Sequence, residues 1–152
     1  MKTATGTLSD SEIQELIDVR RDLHQHPEIA FEEVRTSGIV AERLRAMGLK
    51  VRTGVGRTGV MATVQGGKPG KTVLLRADMD ALPIHEENAT PYRSQTDGKM
   101  HACGHDCHTS ILLAASKQLV KGAPGMKGNV RLCFQPAEEQ GGGARAMIAD
   151  GA

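Results

Sequence analysis

The stretch Lys99-Met-His-Ala-Cys-Gly-His-Asp-Cys-His108 runs straight into Thr109-Ser-Ile-Leu-Leu-Ala-Ala-Ser-Lys-Gln-Leu-Val120, and together they decide the fold. The second half has the length and apolar content of a buried helix, with Gly122 and Pro124 placed to end it. Before it, Thr72-Val-Leu-Leu-Arg-Ala-Asp78 is a nearly continuous apolar run closing on an acid, the pattern of a central strand buried on both faces. After it, Gly128-Asn-Val-Arg-Leu-Cys-Phe-Gln135 reads as a further strand, broken at Pro136. Strand, helix, strand implies a crossover. The chain is therefore expected to be α/β, a mostly parallel sheet flanked by helices, with its chemistry gathered beyond the carboxyl ends of the strands.

The first half of the stretch carries that chemistry. Three histidines, two cysteines and an aspartate fall within residues 101–108, all of them donors that a transition metal uses once they are deprotonated. The plainer account is a polar loop whose histidines cap a helix and whose thiols are bystanders, but that account suits a lone His or Cys better than six donors at this density. Cys103-Gly104-His105 suits an irregular turn, where glycine lets two side chains converge. Such a turn just ahead of a helix N-terminus lies in a positive partial charge, which is expected to favour thiolate at Cys103.

Working outward, Ser9-Asp-Ser-Glu12 resembles a capping box. Ile13, Leu16, Ile17 and Leu23 then share one side of a helix that Pro27 stops. His24 and His26 at its end are read as macrodipole caps before ligands. Ile39, Val40, Leu44 and Met47 mark a second helix closed by Gly48. Leu49–Thr53 and Gly59–Gln65 read as strands, followed by a turn over residues 66–70. Asp78 and Asp80, at i and i+2 in extended chain, share a face, although acids at a strand end are also common turn chemistry. Residues 81–98 form a polar, turn-rich loop. Adjacent Glu138 and Glu139 in a glycine-rich turn can point apart, and their place one crossover after Cys103 and His105 gives a common pair its interest. Residues 144–151 read as a short helix ending at glycine.

With 152 residues, 39% hydrophobic side chains, 18 Gly and 6 Pro, the chain suits one modest domain spanning 1–152. Its formal charge of +1, with both signs interspersed, leaves no basic footprint for nucleic acid and points to a small-molecule partner. No run approaches the length of a membrane span, and Met1–Asp10 has no hydrophobic signal core, so a cytoplasmic protein without a membrane partner is the expectation. Three cysteines, two in the polar cluster and Cys133 in an apolar run, favour thiols and metal chemistry over a disulfide framework, with Cys133 as core.

Four blocks, Arg20-Arg-Asp-Leu-His-Gln-His-Pro-Glu28, Leu75-Arg-Ala-Asp-Met-Asp-Ala-Leu-Pro83, Met100-His-Ala-Cys-Gly-His-Asp-Cys-His108 and Gln135-Pro-Ala-Glu-Glu139, occur in an order that resembles the amidohydrolase branch of the aminoacylase and carboxypeptidase G-like metallopeptidases. Hippurate hydrolase, N-acetyldiaminopimelate deacetylase and the auxin-conjugate hydrolases belong to that branch. The resemblance implies the N-terminal portion of a zinc-exopeptidase-like catalytic domain without its lid and dimerisation domain. It also implies two divalent metal ions, zinc, manganese or nickel, hydrolysing the amide of N-acyl amino acids.

Carried over by position, Cys103, His105 and Glu139 are implied metal ligands, Glu138 the general base that takes a proton from the attacking water, and Asp80 the acid behind the ligands. Asp78 stands where many relatives have a histidine ligand and takes no ligand role. Further histidine ligands and the homo-oligomer interface are implied to lie outside this sequence, so the 152-residue chain alone is expected to be inactive. The alternatives are a catalytically inactive metal-binding fragment and, less well matched, a plain α/β interaction module.

Overall fold

The computed structural model describes residues 8–152, so the polar stretch up to Thr7 lies outside the described residues. Helix α1, Asp10–Gln25, opens on the capping box expected of Ser9 and Glu12: the Ser9 hydroxyl accepts from the Glu12 N–H while the Glu12 carboxylate accepts from the Ser9 N–H. Its buried residues are Val19, Leu23 and His24, whereas Ile13, expected on the inner face, is exposed. Helix α2, Val34–Ala46, buries Val40, Ala41 and Leu44 and stops at Met47 and Gly48.

Four strands follow: β1, Val51–Val55; β2, Gly59–Gln65; β3, Lys68–Asp78; and, after helix α3, His105–Gly122, and a 3-10 turn, Ala123–Gly125, β4, Lys127–Gln135. Strand β1 begins two residues later than expected because Leu49 still belongs to the helix end, its N–H bonding to the Leu44 carbonyl. Helix α4, Gly143–Ala149, closes the chain.

The sheet order is β1-β2-β4-β3. The crossover from β3 through α3 to β4 gives the expected parallel pair, with Asp78 opposite Gln135. The sheet is nonetheless not mostly parallel: β1 with β2 and β2 with β4 are antiparallel. The three-residue link Gly56-Arg57-Thr58 is far too short for a crossover, so β1 and β2 must form a hairpin. A second correction concerns β3, which among the described residues lies at the edge with only β4 beside it, so that Val73 and Leu74 are 57% and 53% exposed. A continuous apolar run reports burial somewhere in the folded whole, not the position of a strand within a sheet.

The period-2 alternation splits the sheet between two clusters. Val60, Ala62, Val64, Leu132 and Phe134 face α1, α2 and α3 and meet Leu23, Val40, Leu44, Leu112 and Leu113 in the main core. On the other face Met61 and Cys133 pack with Val55 and with Met147 of α4, which confirms Cys133 as core. Helices thus cover both faces, as expected of the α/β class. Among the described residues no helix is long and apolar enough to cross a membrane.

Candidate metal centre

The two parallel strands end side by side, and the chain leaving each of them supplies half of the site. From β3 come Asp78 and Asp80, and from β4 come Glu138 and Glu139. The N-terminus of α3, reached through the loop over residues 81–98, brings Cys103 and His105 between them. Gly104 makes that approach: it is the residue before the helix, with φ +82°, a left-handed conformation that turns the chain sharply between the two side chains.

Asp80 is buried and organises the pair around it. The His105 Nδ1–H donates to the Asp80 carbonyl at 2.9 Å and to Asp80 Oδ1 at 3.2 Å, which fixes the tautomer and leaves the Nε2 lone pair free. Asp80 Oδ2 accepts the Glu139 N–H at 2.9 Å. Burial pushes the Asp80 carboxyl up, but these hydrogen bonds outweigh it and hold the group below its ordinary value. His105 is correspondingly raised, because its bonds to Asp80 outweigh the burial that would lower it.

Cys103 Sγ, a His105 ring nitrogen and a Glu139 carboxylate oxygen lie within 4.8 Å of one another. His105 Nε2 is 3.8 Å from Glu139 Oε1, and that oxygen is buried with no hydrogen-bond partner among the described residues. With bonds of about 2.0–2.3 Å, two ligands of one tetrahedral ion lie roughly 3.5 Å apart, so the three donors fit a single cation with small adjustments. Glu138 Oε2 is 4.0 Å from the same Nε2, and its side chain is 40% exposed against 18% for Glu139, so Glu138 stands on the open side.

The thiol does not behave as its helix-end position suggested. Cys103 is pushed up, chiefly by the Glu139 carboxylate beside it, then by burial and by the charges of Glu139, Glu138 and Asp78. Three nearby carboxylates outweigh the partial charge of a helix end, and a cation at this point reverses the balance.

The other donors of the cluster go elsewhere. Asp78, His105 and His108 form a second triad, in which Asp78 Oδ1 is held by Arg76 at 2.7 and 2.8 Å and His105 has one nitrogen not bonded to Asp80. His101 is buried with both ring nitrogens unpartnered among the described residues, and that burial lowers it to about 4. Asp106 is fully buried and meets Arg20 at 2.8 Å and His24 Nδ1 at 2.7 Å, while His24 Nε2 reaches Glu86 at 3.2 Å. His24 is therefore neither a ligand nor a simple cap, although His26 does bond back to the Asp22 carbonyl at 2.8 Å. The one sequence signal for this network was that Arg20 and His24 belong to the first of the four blocks.

Residues 74–152, which carry every residue of this centre, match the model of Peptidase family M20/M25/M40. The chain is a member of that family. Among relatives of this M20 chain, thermostable carboxypeptidase 2 of Saccharolobus solfataricus is 50% identical over 139 residues, covering 90% of this chain and 35% of that protein. Hippurate hydrolase of Campylobacter jejuni is 46% identical over 133 residues, 88% of this chain and 34% of its own. A Bacillus subtilis protein described as a dinuclear metal-binding peptidase of the M20 family superposes with a TM-score of 0.90 at 40% identity, over 94% of this chain and 40% of its own. The chain thus spans about a third of the length of the curated relatives it matches.

Proposed function

We propose that this chain contributes three metal ligands and the general base of a metal-dependent amidohydrolase, and that the complete enzyme cleaves the amide of N-acyl amino acids of the hippurate or N-acetyl type. The observation that carries this reading is Glu139 Oε1, a buried carboxylate oxygen without a donor, set beside an imidazole with a free lone pair and a thiol. A carboxylate oxygen buried without a donor among the described residues is costly, and a cation would remove that cost. A divalent ion held by these residues would acidify water and polarise an amide carbonyl.

The residues then divide the work. Cys103, His105 and Glu139 bind. Asp80 orients His105 through Nδ1 and Glu139 through its amide. Glu138, on the open side, takes the proton of the attacking water and returns it to the leaving amine. A mixed thiolate, imidazole and carboxylate set suits zinc, manganese or nickel. The dinuclear relative supports a pair of ions in the complete enzyme. Free thiols at Cys103, Cys107 and Cys133 support a reducing, cytoplasmic setting, and the same reading has the complete enzyme as a homo-oligomer.

Hydrolysis of hippurate and of N-acetyl amino acids by the complete, zinc-loaded enzyme tests this, with Glu138→Ala beside the parent. The variant is expected to keep its metal and lose roughly 10²–10⁴-fold in rate, the usual contribution of a general base. Turnover at the parent's rate would remove Glu138 from that role. A second reading, a metal-binding fragment without catalysis, draws on the three donors present and the third of the relatives' length spanned. Uptake of one ion by the 152-residue chain with no turnover is its signature.

A further inference from the structure

Among the described residues three that are not glycine hold a left-handed backbone: Phe31 at φ +62°, Arg57 at φ +77° and Ala137 at φ +50°. They belong to three loops far apart in sequence, and all three loops meet at one side chain. Glu33, two residues after Phe31, is buried at 0% exposure. Its Oε2 accepts a 2.5 Å bond from the hydroxyl of Thr58, the neighbour of Arg57, and its Oε1 accepts a 2.8 Å bond from the N–H of Ala137 itself. The Arg57 guanidinium lies 4.4 Å from the centre of the Phe31 ring and closes the assembly from outside.

Each left-handed residue with a β-carbon costs free energy and persists only where its surroundings over-determine it. A carboxylate whose bonded donors are a hydroxyl and an amide, and not a cation, is likewise expensive to bury. Such costs converge where a fold needs one point held still. The point held here is Ala137, and the next two residues are Glu138 and Glu139. Asp80 holds the Glu139 N–H from the other side. The turn is therefore suspended between two buried carboxylates, at Ala137 by Glu33 and at Glu139 by Asp80.

We infer that Glu33 is a positioning residue of the metal centre: by bonding the Ala137 N–H it sets the direction in which Glu138 and Glu139 leave β4. This rests on the proposed role of the two glutamates. It also assigns a task to a residue that touches none of the ligands and that no motif singled out. A purely structural carboxylate would affect folding and leave the metal's surroundings alone once the chain had folded, so the two roles separate by experiment.

The test is cobalt(II) uptake by the metal-free 152-residue chain, titrated against a competing chelator, with the thiolate-to-cobalt absorption recorded. Glu33→Gln keeps an oxygen for the Ala137 N–H and offers its amide to the Thr58 hydroxyl, so its affinity and spectrum are expected to stay near the parent's. Glu33→Ala is expected to weaken cobalt binding about 10–100-fold, the usual effect of losing a group behind the ligands, and to shift the absorption. It should also speed hydrogen exchange at the Ala137 amide. Should Glu33→Ala fail to fold, Thr58→Val, which removes one of the two bonds, is expected to show the same changes to a smaller degree.

A folded Glu33→Ala or Thr58→Val chain with the parent's affinity and spectrum overturns the inference. So does a Glu33→Gln chain as impaired as Glu33→Ala. If the parent itself takes up no cobalt, the reading of the centre fails as well, whereas a binding parent with indifferent variants removes the inference alone.

Discussion

At Asp80 one carboxylate and one carbonyl serve two other residues, receiving the His105 ring N–H and the Glu139 amide. Asp80→Ala is expected to lower zinc affinity about 10–100-fold, read by chelator competition, because both groups lose the partner that aims them. Asp80→Asn keeps a single side-chain oxygen for two donors and should fall between. The donor density around Cys103 and His105 was legible in the sequence, but choosing them with Glu139 over His101, Asp106, Cys107 and His108 took the family resemblance, and the structure brings those three donors together. The fully buried Glu33 and Asp106 were not legible, since their burial and bonds depend on partners 104 and 82 residues away. A buried carboxylate and a surface one are the same letter in a sequence, and exposure is the commoner state.

At the scale of elements, the approach of α4 to the Pro136–Ala137 turn is the tightest point near the centre. A β-carbon on Gly143 would stand 1.6 Å from the Pro136 carbonyl oxygen, a backbone atom that cannot swing aside. Gly143→Ala is expected to cost about 1–3 kcal/mol in urea unfolding, the range for overpacking, and to weaken metal uptake by displacing Glu138 and Glu139.

Far from the centre, Glu12 at the start of α1 is lowered to about 2, first by its bond to Lys121 and then by the Ser9 amide. A carboxyl lowered on folding stabilises fully above its unfolded value of about 4.5 and loses that stabilisation as pH falls toward 2. Glu12→Gln should flatten the acid limb of the urea midpoint against pH between those values. Helix α3 and strand β2 were readable because apolar spacing and glycine stops are local. The start of β1 was not, since the Leu49 amide bonds backward to the helix.

At the scale of the molecule, the order of strands is decided by pairings that no periodicity records. This is why β3 read as central and stands at the edge. Its exposed Val73 and Leu74 flank a row of backbone groups with no strand partner among the described residues, a template for association. Sedimentation of the 152-residue chain is expected to show concentration-dependent self-association that Leu74→Lys reduces. The parallel pair itself was legible from the crossover, and with it the rim where the centre lies. Zinc K-edge X-ray absorption of the loaded chain tests that centre most directly. The expected shell has one sulfur at about 2.3 Å with nitrogen and oxygen at about 2.0–2.2 Å, the sulfur vanishing in Cys103→Ser. A shell of nitrogen and oxygen alone in the parent, or a sulfur that survives in Cys103→Ser, would contradict it.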